Sequence, residues 1–140
     1  MPLPSHLTLQ IVTPDRAVIH EEVDAVEIPA ADGSLGVLPG HTPLLTTLRV
    51  GELRYRKGEE QQFMLIAFGF AEVLPDRVTI LAQVAERPEE IDTARADAAR
   101  MRAETRLARP ARDIDFERAR IAMMKSLVRL QVETKRWVRR

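Results

Sequence analysis

The 140 residues contain no cysteine. That excludes disulfide staples, thiolate metal sites and thiol nucleophiles, and it makes a reducing compartment unsurprising. No apolar run approaches the roughly 20 residues that cross a bilayer. The first residues, Met1-Pro2-Leu3-Pro4-Ser5-His6, lack a basic stretch followed by an apolar core, so a secretory signal is not expected. The three histidines, His6, His20 and His41, are scattered and read as structural or surface residues, so no metal site is expected. A Walker loop, a dinucleotide glycine fingerprint, HExxH and a nucleophile elbow are all missing. Those gaps argue against a small enzyme. The basic residues are not interleaved with aromatics, which make up 4% of the chain, so nucleic acid is not an expected partner.

What is present describes a globular chain: 45% apolar, 30% charged, net charge zero. The zero hides an asymmetry. Residues 1–87 carry 7 Lys+Arg and 12 Asp+Glu, a net of −5, and residues 88–140 carry 14 and 9, a net of +5. An acidic body bears a basic arm that should prefer an acidic surface. Its end, Lys135-Arg136-Trp137-Val138-Arg139-Arg140, reads either as an anionic contact or as a frayed helix end.

The hydrophobic period changes at the same place. Val78, Ile80, Ala82 and Val84 alternate as in a strand, whereas Ile91, Ala94, Ala98, Met101 and Thr105 recur at helical spacing. Between them Pro88 opens a first helical turn, and Glu89, Glu90 and Asp92 suit the positive end of a helix dipole. Upstream, strand patterns cover 7–12, 17–19, 23–28, 44–50, 52–56, 63–68, 70–74 and 78–84, with a loop over 29–43 and a turn at 21–22. Such spacing argues for an antiparallel sandwich or barrel over residues 1–87. Downstream, residues 88–140 read as two antiparallel helices, about 89–107 and a second capped by Asp113 or Asp115. The second would bury a face of Phe116, Met123, Leu127, Leu130 and Trp137, bordered by Ile114, Ile121 and Val128. The first helix is poor in large apolar residues, so the hairpin should be held loosely and be able to move.

Two constellations stand out. In the loop, Pro39-Gly40-His41-Thr42-Pro43 is either a self-satisfied turn or part of an interface. In the arm, Arg95/Arg102 and Lys125/Arg129 lie on common helix faces and would converge if the helices pair antiparallel. With Asp92 nearby they suit a phosphate plus an amine or ribose hydroxyl, though surface arginines are usually solvated.

The run Pro29-Ala30-Ala31-Asp32-Gly33-Ser34-Leu35-Gly36-Val37-Leu38-Pro39-Gly40-His41-Thr42-Pro43-Leu44-Leu45 resembles the epsilon subunits of F-type ATP synthases. Their pattern here is acidic-Gly-x-Leu-Gly-Ile/Val-Leu-Pro-Gly-His-x-Pro-Leu-Leu. The resemblance extends to Ile11-Val12-Thr13-Pro14, Gly51-Glu52-Leu53-Arg54, Gly69-Phe70-Ala71-Glu72-Val73 and Val78-Thr79-Ile80-Leu81-Ala82. In the arm, Ile91-Asp92-Thr93-Ala94-Arg95-Ala96 is similar to a nucleotide-associated motif of some bacterial members. A second copy of that pattern is Ile114-Asp115-Phe116-Glu117-Arg118-Ala119.

The resemblance implies a β sandwich of about ten antiparallel strands followed by a C-terminal two-helix hairpin. It implies a non-catalytic rotor subunit of the central stalk, coupling proton flow to ATP synthesis and inhibiting ATP hydrolysis through mobile helices. The implied partners are the gamma subunit and c-ring, touched around Gly33, Ser34, Gly40 and His41, and the catalytic alpha and beta subunits, reached by the arm. No cofactor is required. ATP is the candidate regulatory ligand, and the matching positions are Glu86, Asp92, Arg95, Arg102, Lys125 and Arg129. Membrane association would come only through the complex, at the cytoplasmic face of the bacterial inner membrane. A stand-alone ATP-binding sensor is the alternative. Lys125 stands where ATP-binding relatives have Arg, a point charge in place of a bidentate fork, and Ser34 stands where many members have Glu.

Overall fold

A computed structural model describes residues 3–108 and 113–135, with the side chains of 3–108 and 116–135. Eight strands come first: β1 Leu7–Val12, β2 Ala17–Val23, β3 Ala25–Ala30, β4 Gly33–Val37, β5 Leu44–Leu48, β6 Gly51–Lys57, β7 Glu60–Leu74 and β8 Arg77–Glu86. A 3₁₀ turn, Pro88–Glu90, leads to helices α1 Thr93–Leu107 and α2 Asp113–Thr134.

The strands form one sheet in the order β2-β1-β8-β7-β5-β3-β4, with β6 bridging β3 and β7, folded over into a sandwich. Strict alternation creates its core. In β1, Leu7, Leu9 and Ile11 are fully buried, and Ile28, Leu53, Ile66 and Ile80 meet them from other strands. Each such side chain contributes roughly 1.5–3 kcal/mol by leaving water.

The described residues form eight strands where the resemblance implies about ten; β7 runs fifteen residues through what reads in sequence as two strands, and β4 forms where a loop is expected. Its N-terminal half pairs with β6 and its C-terminal half with β5, while β8 follows it on the other side. The change of partner coincides with a change of face. Met64 and Ile66 point into the main core, as do Ala71 and Val73, so the inward residues switch from even to odd numbers. Phe68 and Gly69, with φ of 58° and 127°, make that switch. A Cβ on Gly69 would stand 1.9 Å from the Leu81 carbonyl oxygen, so neither the space nor the backbone admits a side chain.

One pairing departs from the antiparallel expectation: β1 and β8 run parallel, Leu9 opposite Val78 and Ile11 opposite Ile80. Parallel neighbours need a long crossover, and here most of the sandwich lies between them in sequence. The turn expected at 21–22 falls instead at Asp24, which accepts a 2.7 Å hydrogen bond from the Gly58 amide. The expected loop over 29–43 contains β4, an edge strand paired with β3.

The hairpin is built on small residues. Ala96 and Ala103 of α1 and Ala119, Ser126 and Val132 of α2 are buried. Ser126 turns its hydroxyl back onto the Ala122 carbonyl at 2.8 Å, so its polarity is satisfied within the helix. The expected faces are therefore corrected on both helices. Ala94, Ala98, Met101 and Thr105 are exposed on α1, and Phe116 and Leu127 are exposed on α2. Close approach of two helix backbones favours alanine and serine, and it turns the bulkier side chains outward. Trp137 lies outside the described residues, as do the side chains of Asp113, Ile114 and Asp115.

Of the two helices, α2 is the one that packs on the sheet. Met124 and Val128 join a second, smaller apolar cluster formed by Val50, Leu65, Ala67, Phe68 and Val84.

Candidate functional site

The segment between sandwich and hairpin is pinned residue by residue. Arg87 donates to the Val18 carbonyl at 2.7 Å, Pro88 and Ile91 are buried, and Glu90 pairs with Arg16 from the β1–β2 turn. Asp92 then caps α1, its carboxylate accepting from the Arg95 amide at 3.1 Å. The first helix thus starts at Thr93 rather than at Glu89. In Ile91-Asp92-Thr93-Ala94-Arg95-Ala96 the Asp and the Arg amide make the cap, and Ile91 and Ala96 are the buried positions on either side.

Above this start lies an open cleft of about 190 Å³, lined by Glu86, Glu90, Asp92, Arg95, Ala96, Ala99, Arg102 and Arg129. It brings together five of the six residues expected there. Lys125 is the exception. Its Nζ lies 5.7 Å from the centre of the Phe68 ring, against the sandwich. Arg129 is already engaged, its Nε 2.6 Å from Glu86 Oε1, with both side chains about a quarter exposed. Arg95 and Arg102 have no carboxylate within 4 Å among the described residues. They sit two turns apart on one face of α1, about 10 Å along its axis. Two guanidiniums with no carboxylate partner among the described residues, along the first turns of a helix, form a surface that an anion can bridge. The volume is below the roughly 300–1,000 Å³ of pockets that enclose a drug-sized molecule, so this cleft suits a phosphate group better than a whole nucleotide.

Sequence reasoning did not single out Arg16, or Glu90 as part of this cleft. Arg16 lies in a loop 74 residues away from Glu90 in sequence, and nothing local marks it.

The second group, Gly33, Ser34, Gly40 and His41, falls at the two ends of β4. Gly33, with φ of 133°, and exposed Ser34 begin the strand. Gly40 follows it, with φ of 86° and its amide 2.7 Å from the Pro75 carbonyl. His41 Nδ1 is 2.7 Å from the Thr42 carbonyl, which favours a ring satisfied within its own loop. A surface using all four would run along edge strand β4, past Leu38 and Leu45, which are 60% and 70% exposed. A separate apolar groove lies over Phe70, Leu81, Val12 and Pro14, with Phe70 and Leu81 paired across β7 and β8. Exposed apolar surface of this kind marks interaction sites.

Among the described residues no cluster of three His, Cys, Asp or Glu is placed to hold a metal, and no helix is long and apolar enough to cross a membrane. The fold and its surfaces define a two-part binding subunit: a sandwich with exposed apolar faces, carrying a thinly packed helical arm. Residues 6–88 match the family model described as the beta-sandwich domain of the ATP synthase delta/epsilon chain, and residues 89–133 match the long alpha-helix domain of the same chain.

The ATP synthase epsilon chain of Syntrophobacter fumaroxidans is 50% identical over 129 residues, 92% of this chain and 96% of its own. That of Solibacter usitatus is 44% identical over 134 residues, 96% of this chain and all of its own. A chain in the structure of the Euglena gracilis mitochondrial ATP synthase, OSCP/F1/c-ring, superposes with a TM-score of 0.82 at 26% identity, covering 94% of this chain and 82% of that one. A chain from the Tetrahymena thermophila central stalk and c-ring structure shares the fold, with a TM-score of 0.65 at 13% identity over 91% of this chain and 96% of that one. The chain belongs to the epsilon chain family of ATP synthases, and is a structural and regulatory subunit rather than a catalytic one.

Proposed function

We propose that this subunit turns with the central stalk of a bacterial F-type ATP synthase, bound through its sandwich to gamma and the c-ring, while its arm regulates ATP hydrolysis. The exposed apolar groove over Phe70 and Leu81 and the edge along β4 supply two distinct faces for two partners. On this reading the subunit is peripheral, held at the cytoplasmic face of the membrane by its neighbours. The arm, when released, reaches the catalytic subunits and slows hydrolysis. Its helices rise about 22 and 33 Å at about 1.5 Å per residue, enough to leave the sandwich far behind.

The observation that carries the regulatory part is the cleft, because both the arm and the end of β8 build it. An anion held by Arg95 and Arg102 beside the Glu86–Arg129 pair favours the docked arm by mass action, since release takes the cleft apart. With Lys125 turned to Phe68, the ATP phosphates would be held chiefly by α1, and ATP binding should be weaker than in a site closed by a second fork from α2.

The direct test is reconstitution of the parent ATPase with this subunit, complete or lacking residues 88–140. Hydrolysis should rise on truncation, and unchanged hydrolysis removes the inhibitory role while leaving coupling. Titration of the isolated chain with ATP should give a saturable signal that Arg95→Ala abolishes. No saturation below millimolar ATP would remove nucleotide from the account.

A further inference from the structure

We infer that Glu52, with Glu86, is a charge latch: it holds the docked arm by occupying the basic flank of α2, so docking depends on ionic strength. The latch is a property of the isolated chain, and it rests on the reading above only in supposing that the arm has a second position to go to.

The apolar contact beneath the arm is small. Met124 and Val128 of α2 are the apolar side chains of the helix that meet the Val50, Leu65, Ala67, Phe68 and Val84 cluster. Around it stand polar contacts from α2 and from Lys135, the residue that follows it. Lys135 Nζ lies 2.7 Å from each carboxylate oxygen of Glu52 and 4.9 Å from the centre of the Phe63 ring. Gln131 donates to the same carboxylate at 3.3 Å, and Arg129 holds Glu86 at 2.6 Å.

Glu52 is the best enclosed of these groups. Its side chain is 16% exposed, and Lys135 is 32% exposed. An exposed ion pair contributes little. This one has two short contacts to one ammonium, an aromatic face over the same cation and a partly desolvated setting, each of which strengthens it. The long-range charge agrees with the contacts, since the body carries −5 and the arm +5.

The arrangement makes the body an internal competitor. Arg129 and Lys135 cannot serve Glu86 and Glu52 and also face an outside acidic surface. Release frees them together. Their attraction to the body as a whole acts across distances that salt screens, with a Debye length of about 8 Å at physiological ionic strength.

The absence of cysteine allows a clean measurement. Spin labels at Glu72→Cys, on the outer face of β7, and Thr105→Cys, on the outer face of α1, report the docked distance in the full chain. Glu52→Gln, which keeps shape and removes charge, should raise the released-to-docked ratio about tenfold. Raising salt from about 0.05 to 0.5 M should raise it a few-fold in the parent and less in the variant. Lys135→Gln, just past α2 and outside the sandwich core, should reproduce the effect without disturbing the sandwich. Partial rescue by the swap Glu52→Lys with Lys135→Glu would identify direct pairing.

A distance distribution that neither variant nor salt alters would overturn the latch and leave docking to the apolar contact. Hydrolysis by the parent ATPase is a separate readout. If the arm opens and hydrolysis does not respond, the inhibitory role proposed above fails and the latch stands.

Discussion

The sandwich and the arm bury different kinds of side chain. The sandwich core is Leu7, Leu9, Ile11, Ile28, Leu53, Ile66 and Ile80, each with no exposed surface, drawn from five strands. The arm's interior is Ala96, Ala103, Ala119, Ser126 and Val132. Burial scales with apolar area, so a leucine position stabilises several times more than an alanine position. The sandwich is thus the high-stability unit and the arm the low-stability one, in the sense that local opening free energies span a range within one protein. A subunit that must stay attached while one part moves needs that separation.

The largest test of the contrast is Leu53→Ala, at the centre of the core. It should cost about 2–5 kcal/mol, read as a fall in the midpoint of global chemical unfolding. A loss below about 1 kcal/mol would mean that the sandwich core is not the dominant unit. Next comes Ala119→Leu, which forces a large side chain into a fully buried position of the arm. Overpacking should cost about 1–3 kcal/mol, and only within the arm: amide exchange should quicken in α1 and α2 and stay unchanged in β1 and β8. Matching acceleration in the sandwich would show one cooperative body and break the comparison.

The same contrast explains what could be read from sequence. Strand alternation in 7–12 and 78–84 is legible because the inward residues are apolar and most outward ones, Thr8, Gln10, Thr79 and Gln83, are polar. The change of period at Pro88 is legible because turn chemistry marks it. The arm's faces were not legible. Alanine is compatible with either side of a helix, so the stripe Ala94, Ala98, Met101, Thr105 looked like a core and lies in solvent. Phe116 and Leu127 misled for the opposite reason: large apolar residues read as buried, yet the helices approach too closely to admit them. At the cleft, spacing along α1 grouped Arg95 with Arg102, and both line it. Spacing along α2 could not tell that Lys125, one turn from Arg129, faces Phe68. Glu52 gave no signal, since one acidic residue in an alternating strand looks like any solvated one.

A smaller effect separates two roles of one residue. Asp92 both caps α1 and lines the cleft. Asp92→Ala should destabilise the start of α1 by about 1 kcal/mol, whereas Asp92→Asn keeps a capping oxygen and should be near neutral. Amide exchange at the first turn of α1 reads the capping part, and ATP titration of the asparagine variant reads the charge. If asparagine frays the helix as alanine does, the cap is not what the carboxylate provides.

The smallest effect belongs to Asp24, in the sandwich, whose hydrogen bonds and ion pairs all go to other sandwich residues. The Gly58 amide, then His6 and Arg56, hold its carboxyl below the ordinary 3.8. A folded-state pKa below the unfolded one contributes stability that is fully present above the unfolded value and is lost as pH falls through the folded one. Asp24 therefore steadies the turn between β2 and β3 at neutral pH and ceases to do so in acid. Asp24→Asn should lower stability slightly at pH 7 and not at pH 2, narrowing the gap between the two midpoints. Because Asp24 bonds the β6–β7 turn and not the arm, the docked distance between labels on β7 and α1 should stay unchanged. A change in that distance would show that the two regions are coupled through the sheet.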